Sequence, residues 1–467
     1  MKSKAKFVIS DLHLGAGFAP QNPLEDFVSD DDFAAFLAQV AAESDHREMD
    51  VELIIAGDMV EFLQVPAVHR FDPQVAYPPE LYYPTSEVAS LQKMLLVIEG
   101  HLTFFAALRN FLHPHTPRRT ITILKGNHDI NLYWEAVQGA IRQAVGATGE
   151  RQELLTFESG SLCREGIYVE HGNQYTESVN RFDHFESPLD PQRPGELQIP
   201  PGSRFVLDFF NDVERESWWV DAVKPITALI WYGFAVDFAF AARMLLNFLS
   251  VAPVLVIGSF AAGGDVGVAA QVEALRRQLE DEQQVATLGE RYATDPAFRR
   301  EFDAHVGRVL QAVEVPVTSV VSAEAKEALA QAQDISETTN VALRRVARQK
   351  IAETGAQVII FGHTHHALCE RLNDGFHINA GTWVWWRDFS GMDLEEWRAF
   401  YAHPERYTQP HYLTYVRVDY DTDGNPHPQV LDFTGQMTIP CVRPDAETGK
   451  AWDWLIRLWE KLKRLWS

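Results

Sequence analysis

Five times along this chain a short apolar run stops at a polar block, and this pattern constrains the fold more than any other feature. Lys6 to Ser10 ends in Asp11-Leu12-His13, and Val51 to Ala56 ends in Gly57-Asp58. Thr120 to Leu124 leads into Gly126-Asn127-His128-Asp129, Ile167 to Glu170 delivers His171, and Gln357 to Phe361 delivers Gly362-His363-Thr364-His365. Short runs rich in β-branched residues read as buried strands. Helical stretches, Asp31 to Ala42 and Ser86 to Phe111, separate the first three, and this alternation predicts an α/β fold. Phe376 to Ala380 and His411 to Val418 read as closing strands. In such sheets ligand-binding residues gather where strands end.

Asp11, His13, Asp58, Asn127, His171, His363 and His365 all fall at or just past a strand end. A lone Asp-x-His or His-x-His pair is weak evidence of a site. The whole set of carboxylates, imidazoles and one amide suits a hard or borderline metal. A single central Asp can bridge two ions held about 3.5 to 4 Å apart. Two divalent ions are therefore expected, manganese first, with iron or zinc as the alternatives.

In this order the five blocks resemble those of the calcineurin-like metallophosphoesterases, from Phe7 to about Trp383 outside a long insertion. The resemblance implies a four-layer α/β/β/α sandwich with metals at one edge and metal-dependent hydrolysis of a phosphoric ester by an activated water. It further implies that Asp11, His13 and His365 bind one metal, that Asn127, His171 and His363 bind the other, and that Asp58 bridges them. His128 would face the substrate, stabilising phosphoryl charge or protonating the leaving group, and Asp129 would orient that imidazole or cap a turn. Ser10 to Gly15, Gly362 to His365 and Asn379 to Trp383 are most similar to the branch holding bacterial UDP-diacylglucosamine pyrophosphohydrolases, which work at the membrane surface. This chain departs from that branch in having His128 where an arginine usually follows the asparagine, and in its larger insertion. A lipid-linked or membrane-proximal phosphoester or pyrophosphate is the implied substrate.

The core is expected in two parts, 1–200 and 348–440, around a helical insertion at 201–347, with a C-terminal helix at 441–467. From Pro225 to Ala262 the only charges are Asp237 and Arg243, and the uncharged run Met244 to Gly264 is long enough to span a bilayer. A buried hairpin in a cap or homodimer interface, and a monotopic or re-entrant membrane element, both fit 225–262. Gln271 to Gln311 and Ala323 to Thr354 read as helices with charged faces. In the tail, Trp452, Leu455, Leu458, Trp459, Leu462, Leu465 and Trp466 share one helical arc opposite a basic face. Such a helix lies on a membrane surface or docks on its own domain.

A net charge of −24 argues against nucleic-acid partners and hence against a nuclease. Cys163, Cys369 and Cys441 show no paired spacing, so neither a disulfide framework nor a thiolate metal site is expected. A reducing compartment follows, cytoplasmic or peripheral on the inner face of the membrane, since the apolar run after the N-terminal lysines is too short for a secretory signal. A soluble phosphodiesterase, a phosphoprotein phosphatase and a non-catalytic metal-binding scaffold remain as alternatives. His113, His115 and His366 read as loop or supporting residues, Trp383, Trp385 and Trp386 as packing or a substrate wall, and Asn173 as close enough to His171 to reach a bound phosphate.

Overall fold

The computed structural model describes residues 3–113, 116–176, 180–224, 228–247, 249, 266–312, 340–389, 392–408, 411–435 and 437–444. The first part of the chain supplies β1 (Lys4–Ile9), β2 (Asp50–Ala56), β3 (Arg119–Leu124), β4 (Leu155–Glu158), β5 (Ser161–Arg164) and β6 (Ile167–Glu170). The remainder supplies β7 (Val223–Lys224), β8 (Val358–Phe361), β9 (Leu368–Arg371), β10 (Phe376–Asn379), β11 (Arg387–Asp388), β12 (Thr414–Tyr420), β13 (Pro426–Asp432) and β14 (Thr438–Ile439).

These strands form two mixed sheets in an α/β fold. One has the order β14-β13-β12-β1-β2-β3-β4, the other β5-β6-β8-β10-β9, and β7 pairs separately with β11. Strands β1 to β4 run parallel, with Ile9 level with Ile55 and Ala56 level with Leu124. In the second sheet β6, β8 and β10 are parallel. All five polar blocks therefore leave the C-terminal ends of parallel strands.

Side chains alternate across a strand, so each sheet has two faces to bury. Phe7, Ile9, Leu53, Ile55, Ile121 and Ile123 pack with Phe33, Phe36, Phe104 and Leu108 of the helices Asp30–Arg47 and Leu102–Leu112. The opposite face, Val8, Ile54, Ala56 and Leu124, shares a cluster with Val169, Val358, Ile360 and Ile378 of the second sheet. Beyond that sheet, Tyr168, Ile359 and Phe361 meet Leu343 and Ala347 of the helix at 340–354.

The helix expected over Ser86 to Phe111 is two helices, Glu87–Gly100 and Leu102–Leu112, bent by 87°. The break falls at His101, φ −122° and ψ 48°, directly after Gly100, which lies against the backbone of Ala16 and Gly17. A Cβ there would stand 2.8 Å from the Gly17 nitrogen, which keeps the site open only to glycine, a poor helix former. The reading of unpaired cysteines also needs correction, since Cys369 and Cys441 form a disulfide across a sequence separation of 72. Backbone pairing brings them together: Val442 donates to the Cys369 carbonyl at 3.0 Å, and Arg371 donates to that of Val442 at 2.7 Å.

The described part of the insertion has its own apolar cluster, with Trp219, Tyr232, Phe234, Phe240 and Leu245 at its centre. Phe389, Trp397 and Phe400 from beyond β11 complete that cluster. Asp237 accepts from the Tyr401 hydroxyl at 3.0 Å, and Arg243 reaches Glu216 at 2.7 Å, so both charges of the apolar stretch have protein partners. Among the described residues no single helix is long and apolar enough to cross a membrane, although the bent pair 87–112 passes that test when its halves are joined. The expected amphipathic helix at 452–466, His115 and most of 248–265 lie outside the described residues.

Candidate metal centre

Register aligns the strand ends, and short backbone bonds then draw the following loops together. Asp11 and Leu12 donate to the carbonyls of Gly57 and Asp58 at 3.2 and 2.8 Å, and Gly362 donates to that of His171 at 2.9 Å. Thr382 ties the second sheet to the first through its hydroxyl, 2.7 Å from the Asp11 carbonyl. Among the described residues eight non-glycine positions have positive φ, and five are Asp11, His13, Asp58, His363 and His365. Left-handed backbone is costly for such residues and clusters at functional sites. Gly57, with φ 93°, allows a close approach, for a Cβ there would come within 2.8 Å of three atoms of the His171 side chain.

Three sets of side chains bring their ligand atoms close enough to hold one ion: Asp11, His13 and His365; His13, Asp58 and His128; and Asp58, His171 and His363. Asp58 is common to two of these, and so is His13. His171 donates from Nδ1 to the Ala56 carbonyl at 3.0 Å, which leaves Nε2 as the ligand atom. Nε2 stands 3.0 Å from Asp58 Oδ2. Asn127 Oδ1 is buried without a donor among the described residues. His13 holds Glu61 through Nδ1 at 2.8 Å and presents Nε2 3.2 Å from His365 Nε2. Two ring nitrogens turned toward one another, beside the donorless Asn127 Oδ1, form an arrangement that bound cations would satisfy. The residues present therefore fit two divalent ions, with an all-oxygen and nitrogen donor set.

The electrostatics point the same way. Burial works to raise the Asp58 carboxyl, but the imidazoles of His171 and His128 outweigh it and hold the group well below its ordinary range. Burial works to lower His13, yet its hydrogen bond to Glu61 lifts it to about 9; Asp58 lifts His171 likewise to about 9. The carboxylates thus attract positive charge to this spot, whether protons or metal.

His128 and Asp129 separate in role. His128 Nδ1 lies 2.5 Å from Glu61 Oε2, and its backbone N–H donates to Asp58 Oδ1 at 2.9 Å. Glu61 and Asp58 lift the ring to about 10 against the lowering effect of burial. Asp129 instead accepts two backbone N–H groups, Gly126 at 2.5 Å and Met59 at 2.7 Å, pinning one ligand loop to the next. This is the turn-capping arrangement. Glu61 escaped the reading from sequence, although an acid within the apolar run Met59 to Leu63 is the signal that could have found it. Asn173 is buried and donates to the Asn180 carbonyl at 3.0 Å, while Trp383 is fully buried with its indole N–H on the Thr414 carbonyl at 2.9 Å. His113 caps the end of the helix Leu102–Leu112, and His366 lies against Trp386.

No protein-family model matches this chain, and no curated protein matches it.

Proposed function

We propose that this chain is a metal-dependent phosphoric ester hydrolase of the calcineurin-like metallophosphoesterase type, built as a four-layer α/β/β/α sandwich. One observation carries the reading: three ligand groups are linked through His13 and Asp58 at the joined edge of two sheets, beside Asn127 Oδ1, which is buried without a donor, and His171 Nε2, 3.0 Å from Asp58 Oδ2. Asp11, His13 and His365 would hold one ion and Asn127, His171 and His363 the other, with Asp58 between them; manganese is the first choice and iron or zinc the alternatives. Two such ions, when bound, supply a nucleophile at neutral pH and offset charge on the phosphoryl oxygens.

The rest of the chemistry falls to the chain's own groups. His128 keeps Nδ1 on Glu61, so Nε2 is the ring atom left to hold or deliver a proton. A ring whose protonated form Glu61 and Asp58 favour suits a group that stabilises a developing oxyanion or protonates the departing alkoxide. Glu61 serves both rings, orienting His13 toward the metal position and His128 toward substrate. The Trp-rich tail at 452–466 favours a substrate at a membrane surface, lipid-linked or membrane-proximal.

The test is release of p-nitrophenolate from bis(p-nitrophenyl) phosphate and p-nitrophenyl phosphate, with Mn²⁺ or with chelator, for the wild type and Asp58→Asn. Metal-dependent turnover abolished by Asp58→Asn is the expected result. A fully metal-loaded wild type with no turnover would favour the scaffold reading instead.

A further inference from the structure

The loop after β1, which carries Asp11 and His13, is gripped a second time away from the metal positions. Glu25 turns its carboxylate onto that loop: Oε1 accepts from the N–H groups of Gly15 at 3.1 Å and Phe27 at 3.2 Å, and Oε2 accepts from that of Gly17. His101 stands behind Glu25, at the 87° break between the helices Glu87–Gly100 and Leu102–Leu112. Its Nε2 lies 3.3 Å from Glu25 Oε1, and its Nδ1 donates to Asp30 Oδ2 at 3.0 Å. The Glu25 and His101 side chains are 1% and 2% exposed, whereas that of Asp30, the first residue of the helix Asp30–Arg47, is 26% exposed.

On the two-metal reading above, we propose that His101 is a positioning residue for the first metal position: held by Asp30, it fixes the Glu25 carboxylate, whose grip on Gly15 and Gly17 keeps Asp11 and His13 in ligand geometry.

Asp11 and His13 hold φ at 54° and 51°, a backbone cost that persists only where the surroundings impose it. On one side the loop after β2 imposes it: Leu14 donates to the Met59 carbonyl at 3.0 Å, and its own carbonyl accepts from the Glu61 N–H at 2.9 Å. Glu25 supplies the other side, because Gly15 and Gly17 follow His13 by two and four residues. Backbone contact adds to it, since a Cβ on Gly17 would stand 2.6 Å from the Cα of Gly100, the residue before His101. A buried carboxylate is stable only with its charge covered, and here three N–H groups and one imidazole cover it. Burial works to lower His101, yet Glu25 and Asp30 lift it to about 10, so the protonated ring is the favoured form. Removing that ring leaves Glu25 drawn toward water and away from the loop. Asn127, His171 and His363 stand on the loops after β3, β6 and β8, so the brace acts on the first metal position before the second.

The experiment counts Mn²⁺ bound by the full chain, freed of metal beforehand, from the loss of the free ion's paramagnetic resonance signal. The wild type is expected to bind two ions. His101→Gln is expected to weaken one of them on the order of 10- to 100-fold, as loss of a partner behind a metal ligand does, and Asp30→Asn to weaken the same ion less. Added to His13→Ala, His101→Gln is expected to cost little more; added to His171→Ala, it is expected to weaken the remaining ion by its full factor. Turnover of bis(p-nitrophenyl) phosphate that His101→Gln loses at low Mn²⁺ is expected to return as Mn²⁺ is raised. Thermal melting checks that each variant is folded, and the part-exposed Asp30→Asn decides the matter where His101→Gln is not. Wild-type affinity for both ions in every folded variant, whatever the fall in melting temperature, overturns the proposal and leaves His101 a structural role alone. Equal weakening of both ions overturns it as well. A wild type that binds no Mn²⁺ overturns the two-metal reading itself.

Discussion

Replacing Asp129 with alanine separates a loop clamp from a catalytic partner of His128. In the native fold its carboxylate takes the N–H groups of Gly126 and Met59, which belong to loops after different strands. Alanine leaves both donors buried without an acceptor, at about 1–3 kcal/mol each, or roughly 2–6 kcal/mol together. Relief of repulsion with Asp58, which helps burial raise Asp129 to about 7, draws the net cost toward the lower end of that range. Asparagine keeps one acceptor oxygen and turns an NH₂ toward the other donor, so its cost is about half, roughly 1–3 kcal/mol. Urea unfolding in chelator, followed by tryptophan fluorescence, measures this on the apoprotein, away from any effect on turnover. The expected order of stability is wild type, then Asp129→Asn, then Asp129→Ala, with metal affinity falling in step as the Asn127 and Asp58 loops part. Wild-type stability in Asp129→Ala, combined with lost turnover, would refute the clamp and return Asp129 to orienting the imidazole.

His128→Ala is expected to keep metal content near normal while turnover of an aryl phosphodiester falls on the order of 10²–10⁴-fold; metal lost alongside activity would place His128 among the ligands instead. His13 and His171, lifted to about 9, must shed protons to take a metal, so affinity is expected to rise with pH up to that value. Calorimetry in buffers of different ionisation enthalpy should show the proton release, and its absence would contradict the assignment. Because both folded-state values lie above the unfolded one, their contribution to apoprotein stability is complete below about pH 6.5 and is lost as pH rises through about 9, which chelator melts across that window would reveal. Deletion of 449–467 is expected to release the protein from anionic vesicles while sparing hydrolysis of a soluble ester; undiminished vesicle binding would remove the tail from consideration.

The strand ends were legible because an apolar run that stops at Asp11 or Gly57-Asp58 carries its own boundary signal, and parallel register then brings those ends level. Asp11, His13, Asp58, Asn127, His171, His363 and His365 were nameable for the same reason. Glu61 was not, since a single acid in a loop has no periodicity, and its place depends on neighbours distant in sequence, His13 and His128. The bend at His101 follows Gly100, whose close approach to another loop, Ala16-Gly17, no local pattern reveals. The Cys369–Cys441 bond needed the pairing of Val442 beside β9, which no local spacing encodes. Strands β7 and β11 are two residues each and exist only because the insertion returns beside the second part of the core.

The apolar cluster of the insertion sets an order of events during synthesis. Tyr232 donates its hydroxyl to the carbonyl of Phe389 at 3.2 Å, a partner 157 residues later, and it stacks on Trp397 with ring centroids 4.8 Å apart. At about 5–20 residues per second, the insertion waits on the order of 8–30 s after Tyr232 is made before the residues that close it are available. During that interval its most apolar face has no final partner. Excision of 201–347 would strand Phe389, Trp397 and Phe400 in the same way, so truncated forms intended to isolate the catalytic half are expected to aggregate unless the segment around 389–400 is removed or made polar with it.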